Sequence, residues 1–265
     1  MHVAAVTPDF LSVVIPCYNE EKNIPSVYEK LFHIVTANEN TEFILVNNGS
    51  TDNSAQVIHN LVIKKPHPRI KMETVTVNTG YGHGILMGCK AACGEYMAWT
   101  HADLQTDPED VLRGYALLQE QAVPEKTFIK GKRIHRSFPD AFFTTGMSLL
   151  SSFFLRTWLS DINAQPKLFH RSLISPADKP PHDFSLDLYF YFMAKKRNYA
   201  VRTFPVEYKK RFSGTAKGGG SIRTKIPLII RTVKAVISLR KQYPVGQIPG
   251  AADTGAAQRT VIVTQ

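Results

Sequence analysis

The 265-residue chain has few cysteines and no long uncharged hydrophobic run. Its three cysteines are too few, and odd in number, for a disulfide framework, which favours a reducing, intracellular environment. The longest uncharged apolar stretch, residues 141–155, falls short of the roughly 20 residues that a helix needs to cross a bilayer. Residues 1–10 lack the cationic start and apolar centre of a signal peptide. We therefore expect a cytoplasmic protein without a membrane-spanning helix.

Acidic residues are also in short supply. The chain has 22 Asp and Glu against 32 Lys and Arg, which gives a net charge of +10. This excess favours anionic partners, such as nucleotides, phosphate groups, an acidic membrane surface or nucleic acid. No nucleic-acid recognition motif accompanies the charge, so we expect no nucleic-acid partner. The apolar content of 43% excludes a disordered chain and is enough for a sizeable core.

Strand-like and helix-like segments alternate four times in the first 100 residues. Short β-branched and apolar runs predict strands, and apolar residues at helical spacing predict the helices between them. The predicted strands span residues 11–15, 42–46, 70–77, 95–100, 127–132, 167–170 and 199–204. The predicted helices span residues 20–37, 51–63, 82–93, 108–121, 138–159, 184–196 and 224–241. This alternation is typical of an α/β fold with a mostly parallel sheet and helices on both faces.

The pattern predicts three regions along the chain. Residues 1–221 form the α/β domain, residues 222–242 form a basic amphipathic helix, and residues 243–265 form a flexible tail. The basic helix is typical either of a helix lying on a membrane surface or of a helix packed on the core with a basic outer face. The phenylalanine-rich helix predicted at residues 138–159 favours the membrane surface.

Polar side chains follow the fourth predicted strand. In extended backbone, His101, Asp103 and Gln105 would point the same way and converge just past the sheet edge. Open α/β sheets bind their ligands in that crevice. Carboxylate and imidazole groups can hold Mg²⁺ or Mn²⁺, which would bridge the oxygens of a diphosphate. The alternative is a solvated strand end in which Thr106 or Asp107 caps the next helix.

Two other turns invite a nucleotide-binding interpretation. The amides in residues 47–52, after the second strand, could bind a base or a ribose, or could simply form a turn and a helix cap. The spacing of Gly80, Gly82 and Gly84 is similar to a dinucleotide fingerprint, but it follows the third strand and has Ile85 where the last glycine belongs. We interpret it as a tight turn and not as the mark of a dehydrogenase.

Five segments, taken in order, resemble family-2 glycosyltransferases with the GT-A fold. They are residues 13–21, residues 46–52, residues 78–88 followed by 92–96, residues 101–105 with 107–109, and the pattern Arg211-x-x-Gly214-x-x-Lys217. The fourth and fifth segments resemble the dolichol- and polyprenyl-phosphate mannosyl- and glucosyltransferases. The resemblance covers about residues 11–220.

This resemblance implies an inverting transfer of a sugar from a UDP- or GDP-linked donor to an acceptor, for which polyprenyl phosphate is a candidate. It implies a divalent metal, Mg²⁺ or Mn²⁺, and peripheral association with the cytoplasmic face of a membrane. The implied metal ligands are His101, Asp103 and Gln105. The implied residues of the nucleotide-sugar site are Pro16, Tyr18, Glu20, Asn48, Asp103, Arg211 and Lys217.

The implied catalytic residues are Asp103, Asp161 and Arg133. Asp161 resembles the acidic residue that the family places near the reacting centre. It would act as general base on a hydroxyl acceptor, or would orient groups around a phosphate acceptor, which is already nucleophilic. Arg133 would hold an acceptor phosphate. The plainer alternatives are a helix end at Asp161 and a solvated basic patch around Arg133.

Three residues depart from the family pattern. The family usually has aspartates at the positions of Asn47, Asn48 and His101. Asparagine carries no charge, and histidine titrates near neutrality. These changes motivate an alternative function, a non-catalytic protein that binds a nucleotide sugar or a partner on the same fold. A nucleotidyltransferase is less consistent, because the loop after the first strand is neither glycine-rich nor basic. The oligomeric state stays open.

Overall fold

The computed structural model describes residues 6–136, 138–174, 178–209 and 222–244. Within these ranges seven strands form one sheet. The strands are β1 (Thr7–Cys17), β2 (Thr41–Asn48), β3 (Ile70–Val75), β4 (Gly94–Trp99), β5 (Thr127–Ile134), β6 (Lys167–His170) and β7 (Ala200–Glu207). The α-helices are α1 (Ile24–Ala37), α2 (Ser54–Lys64), α3 (Tyr81–Ala91), α4 (Asp110–Gln119), α5 (Phe138–Leu155), α6 (Leu186–Lys196) and α7 (Ile222–Gln242).

The sheet is parallel except at one strand. Its order is β3-β2-β1-β4-β6-β5-β7, and β6 runs antiparallel to both of its neighbours. The pairings of Trp99 with Lys167 and of Lys167 with Lys130 therefore bring the end of β4, the start of β6 and the middle of β5 into one row. Because the other strands are parallel, the loops that follow them share one edge of the sheet. The predicted fold class is confirmed.

Helices cover both faces of the sheet. Along β1, Val13 and Ile15 face one apolar cluster while Val14 faces the other, as the two-residue period of a strand requires. Residues of α1 and α4 complete the first cluster, and residues of α3, α6 and α7 complete the second. All eight residues of β2 are buried, which is typical of a strand with neighbours on both edges and helices on both faces. No helix in the described ranges is long and apolar enough to span a membrane.

Several predicted boundaries were wrong for local reasons. Helix α1 begins at Ile24 and not at residue 20, because Asn19 has a positive φ and the loop that follows it bonds to the loop after β2. Helix α5 ends at Leu155 and not at residue 159, because Arg156 has a φ of 50°. The left-handed region cannot continue an α-helix.

The helix cap that residues 47–52 could have formed is absent from α2. Asn53 occupies the N-cap position of α2 and makes no side-chain cap, while Ser50 and Thr51 bond to Asn19 across the two loops. These side chains therefore join β1 to β2 and do not serve the helix.

Candidate active site

Two loops at the carboxyl edge of the sheet are tied together. The Asn19 amide donates to Thr51 Oγ1 at 3.1 Å, and the Thr51 backbone N–H donates to Asn19 Oδ1 at 2.9 Å. The Glu20 backbone N–H donates to Ser54 Oγ at 2.8 Å. Pro16 pairs with Val46 at the ends of β1 and β2. The residues predicted to bind the nucleotide therefore sit on, or directly beside, a cross-linked platform.

Asn48 is buried beneath this platform, against the start of α3. Its amide donates to the Gly80 carbonyl at 2.9 Å, and its Oδ1 is buried without a hydrogen-bond partner. A Cβ on Gly84 would lie 2.8 Å from Asn48 Cγ, and a Cβ on Gly80 would lie 2.3 Å from the His182 carbonyl oxygen. Only glycine fits at both positions, which supports the interpretation of these glycines as a tight packing turn.

The segment after β4 is a turn and not the predicted extended strand. Strand β4 ends at Trp99, and Leu104 has a φ of 57°. Asp103 is buried, and its Oδ1 accepts a hydrogen bond from the Gln105 backbone N–H at 3.0 Å. The alternation that would have aligned His101, Asp103 and Gln105 is therefore absent, because a left-handed residue breaks the two-residue period.

The three predicted metal ligands have different surroundings. The Gln105 side chain is held by the segment after β7, where Tyr208 Oη donates to its Oε1 at 3.1 Å and its Nε2 donates to the Lys209 carbonyl at 3.3 Å. His101 lies against Tyr81, with 5.6 Å between the ring centroids. Burial lowers the pKa of His101, although the charge of Asp103 opposes the shift. The imidazole is therefore neutral at neutral pH, the form that can bind a metal.

The residues present fit a metal that is completed by its substrate. The described residues contain no group of three or more His, Cys, Asp and Glu side chains placed to hold an ion. Asp103 supplies one carboxylate and His101 one imidazole, and both lie in the turn after β4. Mg²⁺ sites of this kind use one or two carboxylates and take their remaining ligands from phosphate oxygens and water. The donor set thus suits a metal bound together with a diphosphate.

A second cluster lies at the end of β5. Asp161 accepts hydrogen bonds from Arg133 Nε at 2.9 Å and from the Arg133 backbone N–H at 2.8 Å, and the Arg136 guanidinium lies 3.8 Å away. Burial alone would raise the pKa of Asp161, but the hydrogen bonds and charge of Arg133 outweigh it and lower that pKa. A carboxylate held in this way is a weak base and a firm anchor for its arginine.

This cluster is not a solvated basic patch. Arg133 and Arg136 are mostly buried, and both guanidinium groups lie over the Tyr208 ring. Lys130 is fully buried, and burial lowers its pKa to about 7. Lys132 alone among the cations of β5 is exposed. The solvated-patch alternative therefore fails at Lys130 and Arg133.

Asp187, which is not among the catalytic residues that the resemblance implies, joins three parts of the site. Its carboxylate accepts from Trp99 Nε1 at 2.9 Å and from Gln165 Nε2 at 3.1 Å, and it forms an ion pair with Lys167 Nζ at 2.9 Å. Gln165 also donates to the Tyr81 hydroxyl, whose ring packs on His101. In the sequence, Lys167 at the start of the short apolar strand β6 was the signal that could have indicated a buried acidic partner.

Two predicted residues of the donor site, Arg211 and Lys217, lie outside the described residues. The remaining predicted residues fall into two groups at one sheet edge. Pro16, Tyr18, Glu20 and Asn48 lie at the ends of β1 and β2, and His101, Asp103, Arg133 and Asp161 lie at the ends of β4 and β5 or in the loop before β6.

The sheet carries two cross-linked loops at the ends of β1 and β2, and the turn of Asp103 and two mostly buried arginines at the ends of β4 and β5. This fold and site are those of a glycosyltransferase of the GT-A class. The family described as Glycosyl transferase family 2 matches residues 12–174, and the chain belongs to that family. It is a glycosyltransferase that moves a sugar from a nucleotide-sugar donor to an acceptor.

Its relatives include enzymes of lipid-linked sugar synthesis. The chain is 27% identical over 237 residues to a dolichyl-phosphate beta-glucosyltransferase of Trichomonas vaginalis, covering 83% of this chain and 70% of the relative. It is 35% identical over 114 residues to an undecaprenyl-phosphate 4-deoxy-4-formamido-L-arabinose transferase of Proteus mirabilis, covering 42% of this chain and 34% of that protein.

A solved structure shares the fold. Glucosyl-3-phosphoglycerate synthase from Mycobacterium tuberculosis, in complex with Mn²⁺, UDP-glucose and phosphoglyceric acid, superposes with a TM-score of 0.66. The match covers 89% of this chain and 81% of that chain at 17% identity. At this identity the likeness establishes the GT-A fold, and the ligands belong to that protein.

Proposed function

We propose that this enzyme transfers a sugar from a UDP-linked donor to the phosphate of a polyprenyl lipid at a membrane surface, with Mg²⁺ or Mn²⁺ held at Asp103. The observation that carries the proposal is the pair of arginines, Arg133 and Arg136, which Asp161 anchors. The two arginines lie just before α5, a helix with exposed phenylalanines. A phosphate site beside an exposed apolar helix suits a lipid phosphate. The dolichyl- and undecaprenyl-phosphate relatives support this acceptor, and the UDP-glucose neighbour supports the donor.

On the donor side, Pro16, Tyr18, Glu20 and Asn48 are the proposed contacts of the nucleoside. Asp103 and His101 would hold the divalent ion, with Gln105 bracing the turn through Tyr208. When bound, the ion would neutralise the charge that develops on the leaving nucleoside diphosphate. The proposed role of Arg211 and Lys217 is to add positive charge on the same diphosphate.

On the acceptor side, the guanidinium groups of Arg133 and Arg136 would bind phosphate oxygens through charge-assisted hydrogen bonds. One oxygen would attack the anomeric carbon as the nucleoside diphosphate leaves from the opposite side, which inverts that carbon. The phosphate needs no general base, because it is already ionised and nucleophilic. The lowered pKa of Asp161 agrees with a positioning role, since a poor base can still orient Arg133.

Helix α5 gives the reason for placing the site at a membrane. It buries Ser148, Ser151 and Ser152, whereas Phe142 and Phe153 are 73% and 78% exposed. Ser151 and Ser152 satisfy their hydroxyls by donating to carbonyls one turn earlier. A water-facing helix normally has the opposite arrangement. An exposed row of aromatic residues is typical of a face that inserts into the headgroup region of a bilayer.

Helix α7 packs against α5 and also exposes apolar side chains. Ile226, Ile230 and Ile237 are about half exposed, and the exposed cations Lys234 and Lys241 lie on the same helix. Val236 and Leu239 are buried in the core, as the packed-helix alternative predicts, and the exposed isoleucines support the membrane-surface alternative as part of this proposal. The basic side chains would bind anionic headgroups.

The proposal is tested by assaying purified enzyme with UDP-glucose or GDP-mannose, a polyprenyl phosphate in detergent, and Mn²⁺ or Mg²⁺. We expect a lipid-linked sugar to form with the UDP donor and to disappear when EDTA removes the metal. The matched control acceptor is the same polyprenol without its phosphate. Product from GDP-mannose alone would overturn the donor assignment, and sugar transfer to the phosphate-free alcohol would overturn the acceptor. Donor binding without turnover on any acceptor would favour the non-catalytic alternative.

A further inference from the structure

A basic pocket lies where α5, α6 and α7 end, away from the proposed active site. Its volume is about 140 Å³. The polar residues that line it are Arg156, Thr157, Lys195, Lys196, Arg240 and Tyr243. Four of these are cations, and no carboxylate is among the lining residues. The pocket shares no residue with the proposed donor and acceptor sites.

Helix polarity alone does not account for this arrangement. Basic residues in the last turn of a helix are common, because they interact favourably with its dipole, and Lys195 and Arg240 each have that position. However, three separate helices bring their cations to one concave volume, where like charges repel one another. The neighbouring Arg197 shows the usual solution, since Asp178 pairs with it at 2.8 Å.

The pocket is built on the core. Its floor includes Leu155 and Phe192, which are both buried. Lys196 is oriented by its Nζ, which donates to the Pro244 carbonyl at 3.1 Å. The Tyr243 hydroxyl lies 3.4 Å from that of Tyr189, whose side chain is buried. Lys195, Lys196 and Arg240 are half-buried on this floor, whereas Arg156 is exposed. Half-buried cations on a packed floor are better placed to bind an anion than the same residues free on a surface.

We propose that this pocket binds a phosphate group. Lysine and arginine side chains with hydroxyl donors at their side are the chemistry that recognises phosphate oxygens. The phosphate could be carried by an anionic lipid headgroup, since the exposed Phe153, Phe154 and Trp158 flank the pocket on the chain. It could equally be a free phosphate or a small phosphorylated molecule. The inference does not rest on the proposed transfer reaction.

The test compares two double variants of the full chain. Lys195→Gln with Arg240→Gln removes two cations of the pocket. Lys64→Gln with Lys90→Gln removes two exposed cations from the last turns of α2 and α3, and thus matches the change in charge and in helix position. Inorganic phosphate is titrated by calorimetry, and phosphatidylcholine vesicles with and without phosphatidylserine are tested by cosedimentation. Thermal unfolding confirms that both variants fold.

We expect the pocket variant to lose about tenfold or more of its affinity for one probe, while the control variant keeps it. A selective loss for inorganic phosphate indicates a free phosphate as the ligand. A selective loss for the phosphatidylserine vesicles alone indicates a lipid headgroup. Phosphate bound at Arg133 and Arg136 survives the pocket variant, so the two sites are distinguishable. The proposal would be overturned if the two variants bound each probe with the same affinity, or if the unchanged protein bound neither probe.

Discussion

His101 and Asp103 lie in one turn but would contribute differently to the proposed metal site. Asp103 is the one carboxylate in that turn that the structure buries, whereas His101 stands where the resembling enzymes carry an aspartate. A neutral imidazole can bind a metal but cannot neutralise its charge. The carboxylate at position 103 should therefore contribute more to metal binding than the imidazole at position 101.

We expect Asp103→Ala to lower the rate of sugar transfer by about a hundredfold or more, because it removes the anionic ligand of the metal. His101→Asp should retain or raise the metal-dependent rate. Initial rates over a range of Mn²⁺ concentrations measure both effects. Glu109→Ala, which removes an exposed carboxylate six residues further on, is the matched control. If the Asp103→Ala enzyme is as active as the Glu109→Ala control, the assignment of the metal site to Asp103 is wrong.

At Asp161 the surroundings support the positioning role over the general-base role. Its folded-state pKa is lowered, so the carboxylate stays ionised as the pH falls through the range of about pH 8 to 5. It therefore contributes no titration to the rate in that range. The two arginines that hold it leave it poorly placed to accept a proton.

We expect Asp161→Asn to raise the KM for the lipid phosphate by about tenfold, because Arg133 loses its anchor, while the shape of the pH–rate profile is unchanged. Steady-state rates against acceptor concentration at several pH values measure this. Glu125→Gln, which neutralises an exposed carboxylate just before β5, is the control. A kcat that collapses together with the acidic limb of the profile would instead identify Asp161 as the general base.

At the scale of the element, α5 shows how a helix can invert its usual pattern. Its phenylalanines are spaced so that Phe138, Phe142 and Phe153 share one face, and all three are exposed. The opposite face packs through serines and Leu155, which allow close approach to the core. Removing the outward phenylalanines should therefore affect what the helix touches outside the protein and leave the fold intact.

We expect Phe142→Ser with Phe153→Ser to weaken binding to phosphatidylserine-containing vesicles by about tenfold or more, because two apolar side chains no longer enter the bilayer. The free energy of unfolding should change by less than about 0.5 kcal/mol per site. Ile63→Ser with Val77→Ser, two exposed apolar residues elsewhere, is the matched control. Vesicle cosedimentation and chemical denaturation measure the two quantities. If the control loses as much vesicle binding as the α5 variant, α5 is not the docking face.

At the scale of the whole molecule, one ion pair joins the two halves of the sheet. The short strand β6 lies between strands β1 to β4 on one side and strands β5 and β7 on the other. Asp187 from α6 bonds to Trp99 on β4 and to Lys167 on β6. Burial lowers the pKa of Lys167, and the Asp187 carboxylate opposes that shift. Without its partner, Lys167 would be a buried cation at this junction.

We expect Asp187→Ala to lower the free energy of unfolding by about 3–5 kcal/mol, because it leaves Lys167 and the Trp99 indole without their partner. Asp183→Ala is the comparison, since Asp183 accepts from the Ser185 backbone N–H in the turn before α6, and the loss of one such hydrogen bond costs about 1 kcal/mol. Denaturant unfolding followed by tryptophan fluorescence measures both. Equal costs for the two variants would show that the junction does not depend on this pair.

The sequence by itself determined the order and type of the elements, the α/β class and the strand ends that carry polar residues. These are local properties, since the spacing of apolar residues reports which faces of a strand or helix are buried. The five segments that resemble family-2 glycosyltransferases also lie within short stretches of chain. The boundaries at Asn19 and Arg156 were missed, because a positive φ at a residue other than glycine leaves no clear sign in composition.

Only the tertiary structure decided which distant residues meet. The pairing of Arg133 with Asp161 and that of Trp99 with Asp187 join residues 28 and 88 positions apart, and a linear pattern contains no such distances. The outward face of α5 was also undecidable from its sequence, because apolar spacing shows that a helix has an apolar face but not whether that face meets a core or a membrane. Packing against α7 and the placement of Leu155 in the apolar cluster determine which side of this helix is left uncovered.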